Sequence, residues 1–215
     1  TNTSGSYNTA HGVGTLKFST TASYNTAVGY QAGYSGTTAT ENTLMGVQAG
    51  YTTDTGRENS AFGRQALFLN TSGSYNVAVG LQSLRSNTTA SNNTAVGYQA
   101  GFSNTTNNGV TLVGYQAGYS NTTGSSGGGP LTAIGVNAGK YYNATTGDGY
   151  GSVFVGCYGG TSTTTGVHNT YMGGFAAYSS TSGSYNSGIG AGVLYNNTSG
   201  SYNTALGNFA SYSNT

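Results

Sequence analysis

Charge is scarce in this chain of 215 residues. Five Lys and Arg and four Asp and Glu make up 4% of the sequence, and the formal net charge is +1. Proteins that bind nucleic acid or anionic membrane surfaces carry clustered basic residues, and this sequence has no such cluster. The composition therefore argues against a nucleic-acid partner and against binding to a charged membrane surface.

Other common features are also absent. Cys157 is the single cysteine, so no disulfide forms within the chain, and Pro130 is the single proline. No apolar run approaches the ~20 residues of a membrane span, so we expect no membrane insertion. The sequence shows no signal-peptide pattern, so an extracellular address would have to come from elsewhere.

A nine-residue stretch, Asn-Thr-Ala-Val-Gly-Tyr-Gln-Ala-Gly, occurs at 25–33 and again at 93–101, and close copies fill the chain. With the leading Asn as position 0, the copies begin at 8, 25, 42, 59, 76, 93, 110, 131, 152, 169, 186 and 203. Consecutive copies are 17 residues apart, except for two steps of 21. A fixed short period predicts an all-β parallel solenoid of about twelve coils, organised as a single array over residues 1–215.

The repeat makes the remaining composition interpretable. Gly, Thr, Ser and Asn dominate, which alone would suggest disorder, but nineteen Tyr in strict register argue for order. Twelve coils at sheet spacing would rise roughly 55–60 Å. The longer steps place loop insertions near 124–130 and 144–150. We find no polar capping coil at either end, so we expect a piece of a longer fibre or copies that stack end to end.

Position +4 is glycine in every copy, which indicates a corner where φ is positive or another backbone approaches closely. These structural glycines are Gly12, Gly29, Gly46, Gly63, Gly80, Gly97, Gly114, Gly135, Gly156, Gly173, Gly190 and Gly207. A phosphate-binding role would need a helix and a Lys, and neither accompanies the column.

Positions +2 and +3 are small or apolar, with His11 as the exception at +3. Neighbouring residues on a strand point to opposite faces, so both faces of the sheet are predicted to be apolar. One face lines the coil, and the other needs a cover. We expect that cover to be another copy of the chain.

Position +6 is glutamine in six successive copies, where stacked amides about 4.8 Å apart can form a ladder. They are Gln31, Gln48, Gln65, Gln82, Gln99 and Gln116. A row that reads a ligand is the alternative. Aromatic residues follow at +9, where rings can either stack on one another or contact surface sugars. The candidate ligand contacts are Tyr34, Tyr51, Phe102, Tyr119, Tyr178 and Tyr195.

The pentapeptides Asn-Thr-Ala-Val-Gly at 25–29 and 93–97 and Leu-Thr-Ala-Ile-Gly at 131–135 resemble the head repeat of trimeric autotransporter adhesins. That repeat typically reads Asn-Ser-Val-Ala-Ile-Gly, and similar arrays occur in phage tail-fibre proteins. The resemblance implies a left-handed parallel β-roll, a homotrimer and an extracellular position on a virion or cell surface. The period here is longer, the pentapeptide is one residue shorter, and no neck, stalk or anchor is present.

The residue types that could catalyse a reaction lie far apart in the sequence. His11 and His168 lie nine coils apart, roughly 40 Å, and the carboxylates are isolated apart from Asp54 and Glu58 beside Arg57. We therefore predict no enzyme, no catalytic residues and no cofactor. Cys157 is interpreted as a small packing residue. His11 either is an interior histidine with a hydrogen bond or, on a threefold axis, meets two copies of itself around an ion.

Three functions remain open. The first is a non-catalytic segment of a phage tail fibre or bacterial surface adhesin, acting as shaft or receptor-binding part, with cell-surface glycans or a host receptor as possible partners. The second is a self-assembling extracellular filament joined end to end. The third is an ice-binding solenoid, suggested by the Thr column at +1, although the +3 partner column is apolar.

Overall fold

The computed structural model describes residues 3–122, 130–144 and 151–214. Every repeat contributes one three-residue strand at positions +1 to +3, as the all-β prediction requires. The strands are β1 (Thr9–His11), β2 (Thr26–Val28), β3 (Thr43–Met45), β4 (Ser60–Phe62), β5 (Val77–Val79), β6 (Thr94–Val96), β7 (Thr111–Val113), β8 (Thr132–Ile134), β9 (Val153–Val155), β10 (Thr170–Met172), β11 (Ser187–Ile189) and β12 (Thr204–Leu206).

The twelve strands form a single parallel sheet in chain order. Each pairs in register with the next, so that Thr94 lies opposite Thr111 and Val96 opposite Val113. The register continues across both longer steps, with Thr111 opposite Thr132 and Thr132 opposite Val153. The predicted parallel solenoid is confirmed. The predicted insertions near 124–130 and 144–150 lie outside the described residues, apart from Pro130 and Ala144.

Hydrogen bonds between coils continue beyond the strands. The backbone N–H of Gly50 donates to the carbonyl of Ala66 (2.9 Å), and that of Thr52 donates to the carbonyl of Phe68 (3.1 Å). At the other side of the coil the N–H of Glu58 donates to the carbonyl of Thr40 (3.1 Å). Successive coils are therefore joined around their circumference, which satisfies backbone groups that a short strand alone would leave without partners.

Four backbone positions with positive φ turn most of the coils. In the coil that begins at residue 42 they are Gly46 (φ 139°), Gln48 (57°), Gly50 (56°) and Glu58 (54°). The left-handed conformation costs a non-glycine residue roughly 1–2 kcal/mol, yet Gln, Tyr and Leu adopt it repeatedly at the same three positions. The inter-coil hydrogen bonds hold these corners in place.

The interior of the solenoid is narrow, and small side chains fill most of it. Ala27, Ala49 and Ala66 are fully buried, and Leu44 and Leu67 occupy the wider places. Position +2 points inward along the whole sheet, and +3 points outward. Alternation along the strand thus assigns one apolar column to the core and leaves the other on the surface.

Candidate functional site

The glycine column at +4 packs backbone against backbone. Its φ values lie between 117° and 141°, a region that side chains rarely adopt. At eleven of the twelve positions, an added Cβ would meet the carbonyl oxygen of the next glycine in the column at 2.5 Å or closer. Gly207 is the exception, with no atom within 4 Å of that point. The column therefore sets the geometry of the corner and offers no open cradle to a ligand.

The Asn at position 0 forms a buried ladder, a role that the sequence analysis did not recognise. The Nδ2 of Asn59 donates to Oδ1 of Asn42 (3.0 Å) and to the carbonyl of Gly73 (2.9 Å). Its Oδ1 accepts from the backbone N–H and the Nδ2 of Asn76, both at 3.0 Å. The Asn59 side chain thus bonds both neighbouring coils and its own, which satisfies an amide that would be costly to bury alone.

The ladder is interrupted where Val110 and Leu131 occupy position 0, and it resumes from Asn169 to Asn203. Asn93 precedes the two apolar residues, and its buried Nδ2 has no partner among the residues that the structure describes. Aromatic rings fill the interior in the coils that follow, with Tyr142 and Tyr171 packed on either side of Phe154 at centroid distances of 5.5 Å. Val110 and Leu131 are apolar residues in a column that otherwise carries polar ones. This substitution is the signal in the sequence that could have shown position 0 to be internal.

The position of Tyr171 in this interior shifts its pKa. Burial raises the pKa of its hydroxyl above the usual 10.0, and hydrogen bonds with the side chains of Ser180 and Asn186 partly offset that effect. The Tyr171 and Ser180 oxygens lie 3.4 Å apart. The group is fully buried, so it contributes to stability and is closed to any substrate.

The six Gln side chains at +6 form a continuous amide ladder. The Nε2 of each Gln from Gln48 to Gln116 donates to Oε1 of the preceding Gln at 2.8–3.1 Å. The Nε of Arg85 also donates to Oε1 of Gln65 (3.4 Å). Because a guanidinium can only donate, this contact fixes which end of each amide is oxygen. All six amides therefore point their nitrogens toward the first coil.

The aromatic column at +9 is a stack of rings interrupted by cations. Tyr34, Tyr51 and Phe68 stack at 4.9 and 5.1 Å, and Arg85 then lies between Phe68 (5.1 Å) and Phe102 (5.6 Å). Further stacks join Phe102 to Tyr119 and join Tyr178, Tyr195 and Tyr212. The six candidate ligand contacts are half-buried, and each of them stacks on at least one neighbouring ring. The stacking of ring on ring is thus present, and contact with surface sugars stays a prediction.

A second aromatic column, at position −1, is more open. Tyr7 stacks on Tyr24 at 5.0 Å, and at the far end His168, Tyr185 and Tyr202 stack at 4.7 and 4.9 Å. All four tyrosines are exposed. Tyr7 (77%) and Tyr202 (78%) are the most exposed of the four.

The side of the sheet that points away from the interior of the solenoid is an exposed, mostly apolar surface, which we call the outer face. It consists of the +3 and +5 columns on either side of the glycine column, and Met45 (40%) and Ile189 (48%) show the typical exposure. Its exposed members are Val13, Tyr30, Met45, Val47, Phe62, Leu81, Val96, Tyr98, Tyr115, Ile134, Val136, Met172, Ile189 and Leu206. Apolar patches that run continuously along a molecule mark interaction surfaces more often than free surface.

His11 and Cys157 both lie on this outer face and both are exposed. In a single chain Cys157 is exposed, so its interpretation as a small packing residue stays a prediction. His11 is not an interior histidine of a single chain. Across residues 3–122, 130–144 and 151–214, no group of three or more His, Cys, Asp and Glu is close enough to hold a metal.

The described part of the chain contains no helix with the length and apolar character needed to cross a membrane. Comparison with family models, with curated proteins and with solved structures finds no match to the chain.

Proposed function

We propose that this chain is a non-catalytic structural segment of an extracellular fibre, of the kind found in phage tail fibres and bacterial surface adhesins. In this proposal three left-handed solenoids pack together through their outer faces. The observation that carries the proposal is the outer face itself, a mostly apolar surface along the sheet, interrupted by exposed His11, Arg64 and Cys157, that a single chain leaves in water. Burying it against identical copies would remove that surface from solvent with one repeating set of contacts.

The internal ladders support a load-carrying role. Backbone hydrogen bonds, the Asn ladder and the Gln ladder all run from coil to coil, along the axis of the solenoid. A structure bonded in this direction resists both bending and extension. The proposal of three chains rests on the resemblance to trimeric adhesin heads. The proposal that identical copies contact one another rests on the apolar columns of the outer face.

The test is the mass of the native particle by light scattering over a tenfold dilution series. Reductant is present, because the exposed Cys157 thiol could otherwise link chains. We expect a constant mass of three times the 21.6 kDa of one chain. A single-chain mass at every concentration would contradict the proposal. A mass that grows with concentration would favour the end-to-end filament instead.

A matched pair of variants locates the contact. Met45→Lys with Met172→Lys adds two charges to the outer face, whereas Leu69→Lys with Tyr141→Lys adds them at exposed apolar residues of the +10 column. We expect the first pair to reduce the particle to one chain, because buried unpaired charges are costly, and the second pair to leave the mass unchanged. Equal dissociation by both pairs would count against the outer face as the contact.

The same particle tests the His11 ion site. A +3 column that faced a threefold axis would bring three His11 side chains together. Elemental analysis that finds an ion in a ratio of one to three chains, lost in His11→Ala, would support the site. A trimer without a stoichiometric ion would remove it.

A further inference from the structure

The interior of the sixth and seventh coils contains four buried Asn side chains, which we call the Asn cluster: Asn93, Asn104, Asn107 and Asn121. Asn93 is 1% exposed, Asn104 is fully buried, and Asn107 and Asn121 are each 4% exposed. Asn107 stands at position +14, where the five preceding coils carry Ala or Gly. It therefore adds a third buried amide to a coil that already has Asn93 at position 0 and Asn104 at +11.

The members of the cluster lie side by side. The Nδ2 of Asn104 donates to the backbone carbonyl of Asn107 (3.1 Å), and the Nδ2 of Asn107 donates to Oδ1 of Asn121 (2.7 Å). Asn93 faces the same place, because the equivalent amide of the preceding coil, Asn76, donates to the carbonyl at its own position +14 (2.9 Å). Position +14 of the sixth coil is Asn107.

One amide atom of each side chain has no hydrogen-bond partner among the described residues. These atoms are Nδ2 of Asn93 and Asn121, and Oδ1 of Asn104 and Asn107. Two of them are donors and two are acceptors. Turning over the amides of Asn107 and Asn121 together would keep the bond between them and would still leave two donors and two acceptors. Unsatisfied amide groups are costly to bury, and ordered water commonly satisfies them.

The balance of donors and acceptors selects the ligand. A cation would be attracted by the two oxygens and repelled by the two N–H groups, and an anion would meet the opposite conflict. A water molecule donates two hydrogen bonds and accepts two. We propose that the Asn cluster binds a buried water molecule, which bonds at least three of the four unsatisfied atoms, as buried waters typically make about three bonds.

This water joins two ladders of amides. In the position 0 ladder the backbone N–H of Asn93 donates to Oδ1 of Asn76 (3.1 Å), and in the +11 column the Nδ2 of Asn104 donates to Oδ1 of Asn87 (3.4 Å). Both ladders reach the cluster just before the longer step of the repeat. The water thus stabilises the coils that precede the insertion near 124–130. Because one chain supplies every ligand, the site goes beyond the proposed fibre and does not depend on the number of chains.

The test uses the full chain, deuterated at carbon and labelled with ¹⁵N in its Asn side chains. A buried water gives nuclear Overhauser effects to the Nδ2 protons of Asn93, with the sign of a slowly exchanging molecule. We expect a second effect at the Nδ2 protons of Asn107 or Asn121. A crystal structure of the same protein gives the position of the water, which we expect about 2.7–3.2 Å from at least three of the four atoms.

Two neighbouring substitutions form a matched pair, since each introduces the residue type that the preceding coil has at that position. Asn107→Ala reproduces Ala90, so we expect it to fold by circular dichroism. The Nδ2 of Asn93 can then donate to the carbonyl of residue 107, as Asn76 does to that of Ala90, and the water effect at Asn93 should be lost. Asn108→Ser, at an exposed residue outside the cluster, should leave that effect unchanged.

Three results would overturn the proposal. They are a wild-type protein without the water effect at Asn93, a crystal structure in which no water bonds three of the four atoms, and a folded Asn107→Ala that keeps the effect. Should Asn107→Ala fail to fold, the wild-type spectra and crystal structure still decide the matter. The mass of the particle has no bearing on this site, so the water and the fibre are tested separately.

Discussion

A Cβ added to Gly46 would lie 2.5 Å from the carbonyl oxygen of Gly63, a separation that no packed side chain tolerates. The same relationship joins each glycine of the column to the next. It explains why this position does not vary although the residues on either side of it do.

The glycine column gives a prediction with an internal control. Gly46→Ala combines backbone strain at φ 139° with that clash, and we expect a loss of about 3–5 kcal/mol in unfolding free energy. Gly207→Ala has strain at φ 117° but no atom within 4 Å, so about 1–2 kcal/mol is expected. Guanidinium unfolding followed by circular dichroism measures both. Equal losses would mean that strain alone accounts for the column.

The Asn ladder predicts unequal costs for the same substitution. The Asn59 side chain makes four hydrogen bonds to neighbouring groups, and Asn59→Leu leaves the buried N–H of Asn76 without its acceptor. The Asn93 side chain accepts one bond, from Val110 N–H (3.0 Å), and its Nδ2 has no partner among the described residues. We expect Asn59→Leu to cost about 2–3 kcal/mol and Asn93→Leu clearly less. The reverse order in denaturant midpoints would contradict the ladder.

The position of Arg85 between two rings of the +9 column predicts that an aromatic residue can replace this cation. Arg85→Ala removes two ring contacts and the bond to Gln65, and we expect it to cost about 1–3 kcal/mol. Arg85→Phe restores a continuous ring stack from Tyr34 to Tyr119, so most of that loss should return. Arg57→Ala, at an exposed residue away from the outer face and the ring stack, is the control and should change stability little. Thermal unfolding of the four proteins compares them.

Tyr171 predicts a loss of stability in alkali. Burial raises its pKa in the folded state, so the folded protein holds the proton more tightly than the unfolded chain. Its contribution to stability is complete below pH 10 and falls as pH rises above that value toward the folded-state pKa. Unfolding midpoints measured from pH 8 to 11 should therefore decline. The decline should be shallower in Tyr171→Phe, and an unchanged slope would assign it to other groups.

The period and the glycine column were sufficient to predict the fold. A strand at +1 to +3, a corner at +4 and in-register stacking all follow from residues that repeat without exception, such as Gly97 and Gly114. The two insertions could not be assigned a structure in this way, because nothing in the sequence repeats within them.

The buried Asn residues were not predicted, although the Gln ladder was. Asn occurs both in turns and in buried ladders. The segments that contain Asn70 and Asn87 are rich in Ser, Thr, Asn and Gly, which suggested turns, yet both side chains are fully buried. Whether an amide faces water or the neighbouring coil depends on how the coil closes, which a single repeat does not reveal. The +9 cations were also missed, although Lys17, Arg85 and Lys140 share the spacing of the rings.

Because the corners at Gly46, Gln48, Gly50 and Glu58 recur in equivalent form in coil after coil, the path of the chain is independent of how many coils precede or follow. Removing the 17 residues from 59 to 75 would join two coils that already match in register. The molecule would then be shorter by one strand spacing, about 4.8 Å, with its surface columns still aligned. The length of the solenoid along its axis is therefore proportional to the number of repeats. Gain or loss of whole repeats would change that length without a new type of contact between coils.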